Sequence, residues 1–421
     1  MTTLHRSQDR IEWADISKRL PSAAPRKGEL ILGFTNGQER HFAVVGSSGL
    51  NMQAAGTQLT RIGCAVKLFT ASLMDLCVRR GDVSWEDRAQ RFFTARLPVD
   101  MTIRQLLDHT HSLDDSLLPG APRLADDKLD VAELCNRLGA MPPLSTPGKL
   151  CSYGNAGCWL AGGVLERIHG KCYGELLSEQ LLRPLNFTAH MPAGASTICP
   201  SVAEELDLRA CDILSFLELC FQQEGRDAPF NPRALMRDPI ALPGWSPSEQ
   251  GTCIGWKSFG CGWFGHNSHL PGHITVIRVN PESRTGLLLY GSEATLAAFT
   301  RTFATMLPEF SLSRLPRTLD PARLATVRLS EYEGSFANAA LRVVVRSIDG
   351  TLHYQAVENH VRSAETHSAP QPLIAAENHM FLPAARPFAP LQVLQFVPDA
   401  HGTFDHIWNG RNLLRRQRIS T

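Results

Sequence analysis

No stretch of the chain approaches the ~18 consecutive apolar residues that a membrane helix needs. The opening segment, MTTLHRSQDRIEWADISKRL, is polar and charged throughout and has none of the apolar core of a secretory leader. These absences set the expectation of a cytoplasmic protein with no membrane partner. Charge of one sign is also missing: 42 Lys and Arg stand against 41 Asp and Glu, a formal net charge of +1. Nucleic acid is therefore not expected as a partner. Paired C-x-x-C zinc ligands are absent too, because the 11 cysteines fall at spacings such as Cys151/Cys158, Cys211/Cys220 and Cys253/Cys261. In a reducing compartment most of them read as small buried hydrophobes. No internal repeat, low-complexity segment or cofactor requirement is expected.

What is present is enough apolar material for a sizeable core: 43% hydrophobic and 20% charged residues over 421 positions. That length favours two domains. GELILGFTNGQERHFAVV has two strand-like runs around Asn36-Gly37, a strong hairpin signal. From Cys64 the apolar residues recur at helical spacing and stop at Arg79-Arg80-Gly81. Thr102 and Gln105 have the spacing of a capping box, so a second helix should begin there. A turn at Thr146-Pro147-Gly148 leads into CSYGNAGCWLAGGVLERIHG, a loop feeding a buried helix rich in small residues. The stretch Glu204–Gln250 is mixed and should supply much of a pocket rim. HITVIRVN and RTGLLLYGS read as strands and EATLAAFTRTFATML as a helix. After a proline-dotted linker the texture changes to short strands, with a turn at Asp349-Gly350 in LRVVVRSIDGTLHYQAV. The predicted division is 1–310, a linker over 311–328, and a small antiparallel barrel over 329–421.

Three segments can carry chemistry. Cys64 and Lys67 lie three apart at a helix start, where a thiol is ionised by the helix dipole and a nearby ammonium, or deprotonated by a neutral lysine. Tyr153 and Asn155 sit two apart on a glycine-containing loop, where a phenol can relay a proton and an amide can hold a carbonyl. His266, Asn267, Ser268 and His269 form a polar cluster just before a strand pair, whose edge N–H groups suit an oxyanion. His266, His269 and His273 have a helical spacing that would suit a metal, but Pro271-Gly272 forbids a helix there, so no metal is expected. Trp256, Phe259, Trp263 and Phe264 offer either an apolar acyl pocket or core packing.

Taken together and in this order, these elements resemble the β-lactamase and penicillin-binding-protein superfamily, in its class C, esterase and D-aminopeptidase branch. IGCAVKLFTA resembles IGS-x-x-K-x-x-TA with cysteine in place of serine, and LLDHTHSL is similar to LL-x-HTSGL. PGKLCSYGNAGCWLAGGVLE resembles the Y-x-N segment, and GHNSHLPGHITVIRVNPE is similar to the H-x-G strand with Ser268 in place of glycine. The tail from SEYEGSF is similar to the lipocalin-like barrels of some members. The resemblance implies an α+β fold: a β-lactamase-like domain of antiparallel sheet, flanking helices and an all-helical subdomain, followed by the small β-barrel. It implies Cys64 as nucleophile, Lys67 as its base, Tyr153 in proton transfer, Asn155 orienting substrate and His266 opening the third motif. The N–H groups of Cys64 and His269 would form the oxyanion hole. Ser268 adds a side chain where substrate normally passes.

A cysteine nucleophile makes the acyl-enzyme a thioester, which amines and thiols attack readily. The expected activity is thus acyl transfer, thioester exchange or cyclisation in biosynthetic metabolism. The substrate would be a small-molecule ester, thioester or amide, free or presented by a carrier. Simple esterase, amidase or peptidase hydrolysis shares the same site. A non-catalytic binding protein on a degenerate fold is the alternative from another class. A monomer or homodimer fits either.

Overall fold

The computed structural model describes residues 12–23, 29–46, 49–51, 56–118, 131–190, 206–222, 230–246, 248–303, 317–320, 326–359, 366–384 and 393–417. The expected linker over 311–328 lies largely outside them. Within it, Leu319 N–H donates to the Ala375 carbonyl and the Arg317 carbonyl accepts from Glu377 N–H.

Strands β1 (Glu29–Thr35) and β2 (Arg40–Gly46) form the expected hairpin. Its turn is held by the Asn36 side chain, which accepts from the N–H groups of Gln38 and Glu39. Counting in chain order, β3 is Gly49–Asn51, β4 Leu59–Arg61, β5 Ala189–His190, β6 Asp207–Arg209, β7 Ile240–Ala241, β8 Gly251–Thr252 and β9 Lys257–Gly260. Three long strands follow, β10 (Trp263–Leu270), β11 (His273–Asn280) and β12 (Thr285–Gly291). The main sheet is antiparallel with the order β3-β2-β1-β12-β11-β10-β9-β8-β7. Alternation splits β12 between two cores: Leu288 faces the larger, helical one, while Leu287 and Leu289 face the smaller one. The helix Glu293–Phe303 covers that second face through Phe299.

After α1 (Trp13–Arg19), the helical side is built around α2 (Val66–Arg80), whose residues from Val66 to Cys77 are all buried. It begins as a single 3-10 turn, Gly63–Ala65, and ends where Gly81 takes the left-handed conformation, φ 81°. The helix α3 (Ile103–Leu107) carries the capping box in full: Gln105 N–H donates to Thr102 Oγ1, and Thr102 N–H donates to Gln105 Oε1. After α4 (Val131–Gly139), α5 (Ala156–His169) crosses α3 closely. A Cβ at Gly157 would come within 2.1 Å of the Leu106 carbonyl oxygen, which accounts for the small residues at the start of this helix.

The C-terminal region is a closed eight-stranded antiparallel barrel. Its strands are β13 (Gly334–Ala337), β14 (Leu341–Ile348), β15 (Thr351–Glu358), β17 (Gln371–Ala376), β18 (Met380–Pro383), β19 (Leu394–Pro398), β20 (Phe404–Trp408) and β21 (Leu413–Arg416). The β14–β15 pairing closes the ring, and the short β16 (Thr366–His367) hangs on β15. Asp349 and Gly350, at φ 48° and 76°, make the predicted two-residue turn. The interior is packed with rings: Tyr332, Phe336, Phe381, Phe396 and Phe404 touch one another at centroid distances of 4.8 to 5.8 Å. This barrel is a filled core.

Candidate active site

The first turn before α2 brings Cys64 to the mouth of a cleft of about 390 Å³. Gly63 precedes it at φ 49°, and a Cβ there would lie 2.0 Å from Ser268 Oγ, so both conformation and space demand glycine. One turn further along α2, Lys67 is 2% exposed and donates from Nζ to Asn155 Oδ1 at 2.6 Å. Asn155 is the residue before α5, and its own N–H and that of Ala156 donate to Asp115 Oδ2 at 2.6 and 2.7 Å. Asp115 thus caps α5 and holds Asn155 against Lys67. Burial pushes the Asp115 carboxyl above the ordinary range, against the pull of those two N–H groups.

Tyr153 is buried with its hydroxyl hydrogen-bonded to Cys64. Burial first, and then the neighbouring Cys64, hold the phenol well above its usual pKa, so Tyr153 enters the site as a protonated donor. Its ring is surrounded by cations: Nζ of Lys257 lies 4.2 Å from the centroid, Nζ of Lys67 5.1 Å and the Arg411 guanidinium 5.0 Å. The His109 ring packs beside it at 4.7 Å.

The third motif departs from its expected placement. Residues His266 to His269 lie inside β10, toward its C-terminal end, rather than ahead of a strand pair. The reason is visible in the pairing: β11 runs beside β10 from Phe264 to Leu270, while β9 pairs only with Trp263, Phe264 and Gly265. The other edge of His266–Leu270 has no strand beside it among the described residues, and it faces Cys64. Ser268 Oγ accepts the Cys64 N–H at 3.0 Å and is 1% exposed. Asn267 and His269 line the cleft. His266 is buried, with Nδ1 2.7 Å from the Asn267 carbonyl. Burial and then Lys257 and Lys67 push its pKa well below the usual value, so the ring is neutral. A carbonyl oxygen can only accept, hence Nδ1 of the neutral ring carries the proton and Nε2 is an acceptor. Nε2 has no hydrogen-bond partner among the described residues. His273 lies on β11 opposite Leu270, so the three histidines of the rejected metal reading are spread over two strands.

Four groups that sequence reasoning did not single out complete the cleft. Lys257 opens β9 and pairs with Glu249 at 2.5 Å. His109, from the HTHSL segment, is buried and kept neutral by burial and by Lys67. Arg411 comes from the barrel, on the turn between β20 and β21. That turn grips the Tyr153 loop: Asn412 Nδ2 donates to the Tyr153 carbonyl at 2.6 Å, and Leu413 N–H donates to Ser152 Oγ at 3.2 Å. The barrel therefore forms one wall of the cleft. The expected rim is partly realised, since Leu242, Ser246, Ser248 and Glu249 line the cleft. The apolar acyl pocket is not: Trp256 packs in the larger core, Phe259 and Trp263 in the smaller one and Phe264 against the larger, and none of the four lines the cleft.

Residues 15–191 match the family model described as beta-lactamase. Among solved structures, SurE crystallised with D-Leu aligns over 96% of this chain and 98% of its own, at 20% identity and a TM-score of 0.72. The octameric penicillin-binding protein homologue from Pyrococcus abyssi aligns over 96% and 98%, at 16% identity and a TM-score of 0.54. The D-amino acid amidase from Ochrobactrum anthropi SV3, complexed with D-phenylalanine, covers 69% of this chain and 99% of its own, at 19% identity and a TM-score of 0.54. At these identities the likeness is one of fold. No helix among the described residues is long and apolar enough to cross a membrane.

Proposed function

We propose that the protein is an acyl-enzyme-forming enzyme with Cys64 as its nucleophile, acting on a small-molecule ester, thioester or amide. The observation that carries this reading is the constellation around one sulfur. Tyr153 hydroxyl is bonded to Cys64, and Lys67 is buried one helical turn away and tied to Asn155. A lysine in a dry site has no structural use on that face of α2 that an apolar residue would not serve better.

In the proposed reaction Lys67 acts in its neutral form: the Cys64 sulfur attacks the carbonyl carbon, a C–S bond forms, and the thiol proton passes to the Lys67 amine. The carbonyl oxygen becomes an oxyanion at the open edge of β10. Collapse breaks the bond to the leaving group, which departs with a proton relayed by Lys67 and Tyr153. The resulting thioester is then attacked by an amine, a thiol or water, and Cys64 is regenerated. With Oδ1 committed to Lys67, Asn155 has its amide nitrogen to offer the substrate carbonyl.

Ser268 is the one observation that favours a non-catalytic protein, because its hydroxyl oxygen already occupies the Cys64 N–H. A hydroxyl that accepts a hydrogen bond still has its own proton to donate. Ser268 can therefore pass the polarisation of the Cys64 N–H on to the oxyanion instead of blocking it. Lys257 and Arg411 give the cleft a surplus of positive charge over Glu249, which suits an acyl group that also carries a carboxylate. Two of the similar folds bear names that point to D-amino acids, SurE with D-Leu and the D-amino acid amidase, so activated esters and amides of D-amino acids are the first substrates to try.

Intact-mass measurement after mixing with such an ester tests the proposal. An adduct on Cys64 that is chased by an amine supports acyl transfer, and one that water alone clears within the same time supports hydrolysis. Unchanged turnover in Cys64→Ala, with no adduct on the wild type, would sink both.

A further inference from the structure

Both helices that carry the candidate site also converge at their far ends. The last turn of α2 bears Cys77, Asp82 follows it after the Gly81 cap, and His169 is the last residue of α5. Cys77 Sγ lies 3.2 Å from His169 Nε2, and one ligand atom from each of Cys77, Asp82 and His169 falls within 4.8 Å of the others. A thiolate and an imidazole bound to the same tetrahedral zinc stand ~3.5 Å apart, given Zn–S and Zn–N bonds of ~2.3 and ~2.0 Å. Only a few tenths of an ångström separate the pair from that geometry.

The surroundings favour a cation. The C-terminal ends of the α2 and α5 helix dipoles concentrate partial negative charge there. Asp82 adds a full one at the exposed side of the group. A competing cation close in sequence, Arg80, is hydrogen-bonded through Nη1 to Gln180 Oε1 at 2.9 Å. Cys77 itself is buried. A bare thiolate is costly in such a place, whereas a metal ion supplies the missing charge and takes up the thiolate as the proton leaves.

We propose that Cys77, His169 and Asp82 form a binding site for a divalent transition metal of the zinc type, with water completing the coordination. Counted along α2 at ~1.5 Å per residue, the site lies on the order of 20 Å from Cys64. It takes no part in the acyl chemistry. Its role is to pin the C-terminal ends of two helices whose N-terminal ends present Lys67 and Asn155 to each other. The 92-residue gap between Cys77 and His169 hides the pair from any reading of local ligand spacing.

Cobalt(II) titration of the full chain, stripped of metal and kept reduced, provides the test. The wild type should develop a near-ultraviolet thiolate-to-cobalt charge-transfer band that saturates at one ion per chain and is abolished by zinc. Cys64→Ser should show the same band, which separates this site from the reaction cleft. Cys77→Ser should lose it, and His169→Gln, a change at a partly exposed position that leaves the core untouched, should lose or greatly weaken it. Absence of a saturable band in the wild type, or its persistence in folded Cys77→Ser, overturns the proposal and leaves Cys77 and His169 as a plain hydrogen-bonded pair.

Discussion

Removing the Ser268 hydroxyl separates its two possible roles, plug and donor. In the wild type the Cys64 N–H is committed to Ser268 Oγ at 3.0 Å, and Ser268 is 1% exposed. Ser268→Ala keeps a methyl group over the Cys64 N–H and deletes the hydroxyl proton that would meet the oxyanion. Loss of one preorganised oxyanion donor costs about 3–4 kcal/mol of transition-state stabilisation, or on the order of 10²–10³ in rate. The same change leaves a buried N–H without an acceptor, for about 1–3 kcal/mol of folding stability. Ser268→Gly removes the methyl as well, so the Cys64 N–H can address the oxyanion directly. Acylation should then recover to within roughly tenfold of wild type. Gly inside β10 still costs about 1 kcal/mol of stability.

The assay is single-turnover acylation of Cys64 by an activated ester, read by quenched-flow intact mass, with urea unfolding run in parallel. The reasoning requires an ordering: wild type fast, alanine slow, glycine recovered. An alanine variant that acylates as fast as the wild type removes the hydroxyl from the chemistry. A glycine variant no faster than alanine shows that the Cys64 N–H was never the donor in waiting.

Tyr153→Phe should leave the fold intact, because the backbone of this residue is held by Asn412 and the cations around the ring keep their contacts. Its acylation rate should fall by about 10²–10⁴ with the loss of a proton-transfer group, measured by the same adduct assay. A rate within a few-fold of wild type would take the phenol out of the mechanism. Stability should also depend on pH through His111, which is fully buried with Nδ1 accepting the Leu113 N–H and is pushed down to about 4 by burial. The unfolded chain takes up a proton on this residue near ~6.5 and the folded chain resists it. Stability is therefore intact above that pH and falls by about 3 kcal/mol as pH drops toward 4. His111→Gln should flatten that part of a denaturant-unfolding series, and an unchanged slope refutes the assignment. Ser112 sits at φ 63°, a left-handed backbone that favours glycine. Ser112→Gly should stabilise the chain by up to about 1 kcal/mol in thermal unfolding, and a loss of stability would mean that the hydroxyl has a partner of consequence.

The parts of this fold legible in the sequence are those decided by neighbours in the chain. The Asn36-Gly37 hairpin, the Thr102/Gln105 capping box, the Gly81 stop and the Asp349-Gly350 turn each rest on a few adjacent residues, and each is formed. The proximity of candidate residues was legible where a motif sits on one continuous stretch, as with Cys64 on the turn before α2 and Lys67 on its first turn. Lys257 and Glu249 were not, because a lysine opening a strand looks like any other until the sheet brings it over the Tyr153 ring. The WNGRN segment did carry a turn signal in Asn409-Gly410, but its target is a matter of tertiary structure. The aromatic residues near the third motif were open to two readings, and core packing won because the two faces of the sheet each needed covering.

The division of the cleft bears on the reaction it can support. Cys64, Lys67, Asp115, Tyr153 and Asn155 fall within residues 15–191, the segment matching the beta-lactamase family model, and in the proposed reaction would make up the acyl-forming half. Ser268, Asn267 and His269 on β10, Lys257 and Glu249 beside it, and Arg411 on the barrel turn lie outside that segment and form the half that an acyl group and its acceptor would meet. On the proposed reading, the segment that matches the family thus says little about what would be transferred. The barrel turn joins the two halves at Tyr153, through Asn412 on its carbonyl and Arg411 over its ring. Displacing that turn would loosen the phenol from Cys64 as well as opening the cleft. In the proposed reaction substrate fit on the barrel side and proton transfer on the sulfur side would be coupled through one loop, so changes at Arg411 should appear in the rate of acylation as well as in binding.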